Sequence, residues 1–216
     1  MITAMDKLKG REGVEQQMEP RGSESVGHRA SGMLLSQFAL SGRHMLARDA
    51  LAAQSGVDLS QLQTFLEWLA ELGLVQTIDA QSYRLGSACS RSGRQGYHLL
   101  LHLEPNLELG GLCHSLLAEH GYPSIGVENV STAKLLCDVV EFDLALLSGV
   151  GKGISSFLTA HEAVLRHRSR PPAIGYGLQI DGHSPLYASA VTILTGPVEA
   201  VTLLSTIRQL LLPEHP

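Results

Sequence analysis

An α/β fold preceded by a smaller helical module is the class predicted for this 216-residue chain, and three features predict it. From Tyr97 onward, short apolar segments alternate with amphipathic ones, the pattern of parallel strands covered by helices on both faces of a sheet. From Gly32 to Gly86 the apolar period is helical instead. Between the two, SACSRSGRQG is polar, holds two glycines and two arginines, and reads as a linker. The chain divides accordingly into a disordered arm at 1–30, a helical module at 31–88, a linker at 89–96 and an α/β domain at 97–216. That division suits a length of one large or two small domains at about 150 residues each.

Composition narrows the function classes. Hydrophobic residues make up 44% and charged residues 17%, which describes a packed globular protein. The arm MITAMDKLKGREGVEQQMEPRGSESVGHRA is the exception, since it mixes charge, Gly, Ser and Pro without an apolar period. A net charge of -5 and a pI near 6.0 give no global field toward DNA or anionic lipid, so any nucleic-acid contact needs a local basic patch. Cys89, Cys113 and Cys137 lie far apart without metal-ligand spacing, which fits buried thiols in a reducing cytoplasm. No apolar run approaches the roughly 18 residues of a membrane span. A soluble, cytoplasmic protein is expected.

In the first module MLLSQFAL forms one helix and ARDALAAQSG a second, stopped by Gly56. Asp58 or Ser60 caps a third, LSQLQTFLEWLAELG, which places Leu59, Leu62, Leu66 and Leu69 on one face and ends at Gly73. LVQTIDAQSYRLG then reads as two short strands around Asp79, Ala80 and Gln81. Trp68 is assigned to the core.

This run, "RDALAAQSGVDLSQLQTFLEWLAELGLVQ" followed by "YRLG", resembles the winged helix-turn-helix domains of bacterial transcriptional regulators. The resemblance implies that the third helix reads DNA, with Ser60, Gln61, Gln63 and Thr64 turned to the bases. It also implies phosphate contacts from Arg43, Arg48 and Arg84, joined by Arg91 and Arg94 of the linker. The chain departs from the pattern in charge: the reading helix has no Lys or Arg and carries Glu67 and Glu71 behind Asp58, whereas phosphate neutralisation supplies much of DNA affinity.

In the second domain five strand and helix units follow one another. YHLLLHLE, PSIGVEN, DLALLS, PAIGYG and VTILT are the strands, and the segments after them are helical, including GISSFLTAHEAVLRHR and a short helix around SPLYASA. Together "LEPNLELGGLCHSLLAEHGY", "FDLALLSG", "PPAIGYG" and "TILTGPVEAVTLLSTIRQLL" resemble the receiver domain of two-component response regulators over residues 97–212. The resemblance implies a flavodoxin-like doubly wound sheet of order 2-1-3-4-5, with its crevice at the carboxyl ends of strands one and three.

A working receiver holds Mg²⁺ on an acidic pair after strand one and accepts phosphate on an aspartate at the tip of strand three. It also needs a hydroxyl at the end of strand four and a lysine before a proline after strand five. A hard cation takes oxygen ligands, and an amine neutralises the acyl phosphate. Here those positions fall on Glu104 and Pro105, Ser148, Gly177 and Gly196, so one element of five survives.

No catalysis, metal or cofactor is therefore expected. The stretch from Gly149 to Gly153 resembles a phosphate loop, but Leu146 stands where its first glycine belongs and Gly153 where a Ser or Thr should follow Lys152. His98 and His102 share one face of a strand, yet they lack a third metal ligand. The resemblances jointly imply a phosphorylation-independent pseudo-receiver regulator that binds DNA and works as a homodimer or with another protein partner. The alternative is a scaffold whose two domains both bind proteins and not DNA.

Overall fold

The computed structural model describes residues 22–41, 45–149, 162, 171–178 and 191–212. Residues 1–21, Arg43, the Lys152 loop, His161, the expected helix at 153–168 apart from Glu162, and the expected short helix around SPLYASA lie outside them.

The first module consists of α1 (Gly22–Ser41), β1 (Met45–Ala47), α2 (Arg48–Ser55), α3 (Leu59–Glu71), β2 (Val75–Asp79) and β3 (Ser82–Leu85). Asp58 caps α3 by accepting the N–H groups of Ser60 and Gln61, an interaction of about 1 kcal/mol. Gly56 (φ 67) ends α2 in the left-handed region, and β2 and β3 form the expected hairpin. The expected scheme lacks β1, which pairs antiparallel with β3 to complete a sheet of order β1-β3-β2.

Two short 3₁₀ turns (Ser87–Cys89 and Arg91–Gly93) lead to the second module. There β4 (Leu100–Leu103), α4 (Leu107–Glu119), β5 (Ser124–Val127), α5 (Val130–Val139) and β6 (Leu144–Ser148) are followed by β7 (Ala173–Leu178), β8 (Val191–Thr195) and α6 (Ala200–Leu211). Asn106 and Asn129 cap α4 and α5 with their side-chain oxygens. The five strands are parallel in the order β5-β4-β6-β7-β8. Counted along the domain this is 2-1-3-4-5, the order expected.

Burial alternates along the strands. Leu100, Leu144, Leu146 and Ile174 pack under Leu117 of α4 and under Leu203, Leu204 and Ile207 of α6. Leu101, Leu103, Ala145, Leu147 and Ala173 face the side that carries Ala133, Leu136 and Cys137 of α5. Val201, in the first turn of α6, is exposed.

Two expectations are corrected. The arm does not reach residue 30, because α1 begins at Gly22. The expected helix at MLLSQFAL is the second half of α1; composition hid the first half, which mixes charge, Gly and Ser without an apolar period. α1 also belongs to both modules. Leu34, Leu35 and Phe38 share one continuous core with Leu51, Leu62 and Leu66 of the first module and with Val127, Leu136 and Phe142 of the second.

The stretch 89–96 is likewise no free linker. The Arg91 N–H donates to the Glu141 carboxylate at 2.8 Å, its guanidinium donates to the Phe142 carbonyl, and Arg91 and Arg94 both pair with Asp143. Non-local charge partners some fifty residues away pin a segment whose composition alone reads as flexible. Among the described residues no helix is long and apolar enough to cross a membrane.

Candidate functional site

The carboxyl ends of β4, β6 and β7 converge where a receiver would hold its metal and phosphate. The sheet register sets Leu103 of β4 against Leu147 of β6, and Ser148 against Tyr176 of β7. Glu104, the residue after β4, is 1% exposed, and both of its oxygens are engaged. Oε1 accepts the Asn106 N–H at 2.8 Å, and Oε2 accepts the Tyr176 hydroxyl at 2.9 Å. The same phenol oxygen lies 2.6 Å from Nε2 of His102, a fully buried residue on β4. Because the phenol proton goes to Glu104, His102 donates from Nε2. The Ser148 hydroxyl also hydrogen-bonds the phenol.

Four side chains from three strand tips thus meet in one buried polar cluster. Burial raises Tyr176 well above the ordinary tyrosine range; Cys113 and Glu104 nearby add to the shift, and Ser148 opposes it. The phenol therefore stays a neutral donor.

The remaining predicted positions are as follows. Pro105 is partly exposed beside Glu104 and brings no side-chain oxygen. Gly177 (φ 69) sits where the β7 to β8 register shifts between Tyr176 and Leu178, and Gly196 (φ 75) follows β8. At both positions the left-handed backbone favours glycine, so the missing hydroxyl and lysine coincide with backbone that suits a glycine. Mg²⁺ does not fit this donor set: Pro105 supplies no oxygen where the second acidic residue is needed, and each oxygen of Glu104 already accepts a hydrogen bond.

His102 and Tyr176 escaped sequence reasoning as site residues. Their signal was available: a histidine inside LLHL and a tyrosine inside AIGYG are polar groups in strands buried on both faces, and such groups need partners. The expected pairing of His98 with His102 on one strand face is corrected, since β4 starts at Leu100 and His98 is exposed ahead of it. His114 turns elsewhere, with Nδ1 2.8 Å from the Ser124 hydroxyl and its ring edge-on to Trp68 at 6.0 Å. Trp68 is half-buried against the core, on the seam between the modules.

On α3, Ser60, Gln61 and Thr64 are exposed, while Gln63 is half-buried and bonded to Glu67 and to the Tyr83 hydroxyl. Ser60 donates to Asp58, and the hydrogen bonds of this cap hold the Asp58 carboxyl below its ordinary range. Arg84 is exposed on β3 and grips the Gln76 side-chain oxygen through Nε and Nη2. Arg48, at the start of α2, lies 3.7 Å from Asp49. From 45 to 86, Arg48 and Arg84 are the only basic residues, against Asp49, Asp58, Glu67, Glu71 and Asp79. Arg91 and Arg94, expected to reach phosphates, are instead committed to Asp143.

The buried thiols give a direct test of this packing. Burial pushes Cys89 up to about 11 and Cys137 and Cys113 up to about 12, against an ordinary 9.0. The unfolded chain therefore releases these protons first as pH rises. Stability is expected to be level up to about pH 9 and then to fall through about pH 11 by roughly 1.4 kcal/mol per pH unit for each thiol. Tyr176 steepens the fall above pH 10. Urea midpoints at pH 7, 9 and 10.5 check this, and Cys137→Ala should flatten the curve. A midpoint unchanged at pH 10.5 would mean that the thiols are not buried.

No protein family and no curated protein matches the chain. Solved structures similar to about half of it are receiver domains. One, from Methanospirillum hungatei, is 17% identical over 54% of this chain and 94% of its own, with a TM-score of 0.48. Another, from a sensor histidine kinase of Pseudomonas aeruginosa, is 18% identical over 54% of this chain and 98% of its own, with a TM-score of 0.47. A third, from a LuxO repressor protein of Vibrio parahaemolyticus, is 16% identical over 54% and 91%, with a TM-score of 0.47.

Proposed function

We propose that the chain is a phosphorylation-independent response regulator, a pseudo-receiver that carries a DNA-binding winged helix at its amino-terminal side. The observation that carries this reading is the state of Glu104. Glu104, the carboxylate kept after the first strand of the sheet domain, is buried and already accepts from Asn106 and Tyr176, while Pro105 beside it brings no oxygen for a cation. Ser148, buried beside it and hydrogen-bonded to the Tyr176 phenol, is a serine where the phosphoryl acceptor is an aspartate, and Gly196 stands where an amine would neutralise a phosphoryl group. Acetyl phosphate with Mg²⁺ is expected to leave the intact chain unlabelled by mass spectrometry; a phosphorylated Ser148 would overturn the reading.

The element order of the first module and its sheet of order β1-β3-β2 support a winged helix. Ser60, Gln61 and Thr64 are exposed on α3 to meet base edges, with Arg48 and Arg84 for phosphates and Arg43 completing the expected set. The regulator acts as a homodimer or with another protein partner. Its output changes when a ligand or partner favours one of two conformations.

A specific observation favours the second reading, a protein-binding scaffold: the exposed charges of α3 are carboxylates, and Gln63 and Arg84 are held within the module. Fluorescence titration with genomic DNA fragments at two salt concentrations separates the two. DNA binding requires an affinity that falls with salt and a smaller salt slope in Arg48→Ala and Arg84→Ala, by about one unit each. No binding at low salt leaves the scaffold.

A further inference from the structure

The seam between the modules is held at two distant points. At one, α1 lies along the outer edge of β5. The β4 ladder uses the carbonyls of Pro123 and Val127, so the alternation of a strand turns those of Ser124 and Gly126 outward. Gly32 of α1 meets the Gly126 carbonyl so closely that a Cβ there would stand 2.1 Å from its oxygen and 2.9 Å from Val127 Cγ1. Only a glycine lets the helix sit on the strand edge, which it covers against stray pairing.

At the other point Asp143, ahead of β6, is gripped from three sides. Oδ2 accepts the Leu99 N–H at 2.8 Å and pairs with Arg94 at 3.1 Å, and Oδ1 pairs with Arg91 at 3.2 Å. The Arg94 side chain is 2% exposed and also donates to the Ala88 carbonyl. Tyr97 adds a hydroxyl bond to the Leu72 carbonyl at the end of α3, and Glu141 N–H donates to the Cys89 carbonyl at 2.7 Å. Beside these bonds a cleft of about 340 Å³ remains open, lined by Gly86, Ser87, Cys89, Cys137, Asp138 and Glu141. Around the 3₁₀ turns and the end of α5 the contact is thus made by these bonds beside an open cleft, whereas under α1 it is a continuous core.

We propose that Gly32 on Gly126 and Asp143 between Arg91 and Arg94 form a clasp that makes the two modules one cooperative unit, so that opening either point loosens both modules together. A ligand that binds only the opened state on one module then changes the other, because the two share a single opening equilibrium. This inference does not depend on whether the first module binds DNA.

Native-state hydrogen exchange on the intact chain tests it, with Leu66 and Leu69 of α3 reporting one module and Leu146 and Ile174 the other. Asp143→Asn and, separately, Gly32→Ala are each expected to lower protection at all four amides by the same factor, about tenfold or more, as the loss of a buried charged partner or a backbone clash implies. A fall confined to one module, or no fall in either variant, would overturn the clasp. Calorimetry of the unsubstituted chain decides independently of whether the variants fold. One transition with equal calorimetric and van 't Hoff enthalpies is required, and two separate transitions would refute the proposal.

Discussion

Phe142→Ala should lower the stability of the chain by about 3–5 kcal/mol. Phe142 is the largest of the fully buried side chains among the described residues and stands in the connection between α5 and β6. It packs in the core that runs from α1 to the sheet, so its loss opens a cavity where neither module can easily collapse. Its carbonyl meanwhile accepts the Arg91 guanidinium, and its neighbours Glu141 and Asp143 hold the segment before β4. Set against a typical total of about 5–15 kcal/mol, the loss is a large fraction. The urea midpoint should fall by about 1 M or more at an unchanged slope. Leu212→Ala, at a residue 68% exposed, is the control and should stay within about 0.5 kcal/mol. A Phe142→Ala loss near that of the control would mean that the connection is not packed as described.

The contrast between Phe142 and Arg91 shows what the sequence made legible. Apolar period, capping residues and stop glycines are local, and they placed α2, α3, the β2–β3 hairpin and the five parallel strands. Partners distant in sequence are not local. Arg91 and Arg94 looked like loop cations because nothing near them announces Asp143. α1 looked like part of the first module because an apolar stripe reveals that a face is buried but not against what. A sharper signal was present in Gly32 with Ala30, Ser31, Leu34 and Leu35, which are buried around the helix and not along a single stripe. β1 has three residues, too few to show any period. The strand tips divide in the same way. Glu104, Pro105, Ser148, Gly177 and Gly196 followed from strand order alone. His102 and Tyr176, which fill the space, meet across strands some seventy residues apart.

The sign of the effect at Glu104 distinguishes a filled crevice from a disused metal site. In a cluster of carboxylates kept for a cation, removing one relieves repulsion, and the apo protein becomes more stable. Here Glu104 is the acceptor for Asn106 N–H and the Tyr176 hydroxyl, and Glu128 stands next to it at the end of β5. Glu104→Ala takes the acceptor from the buried Tyr176 hydroxyl and from the Asn106 N–H, so the expected loss is about 1–3 kcal/mol. Tyr176→Phe removes the donor shared by Glu104 and the partner of His102, at about 1–3 kcal/mol. The double variant should lose less than the sum of the two by about 1–3 kcal/mol, because the groups left unsatisfied by each change are partly the same groups. Urea titration of the four proteins measures that coupling. A stabilised Glu104→Ala would identify the crevice as a metal site in waiting, and strictly additive losses would mean that the phenol and the carboxylate do not bond. A loss with coupling is what a hydrogen-bonded plug at the strand tips requires.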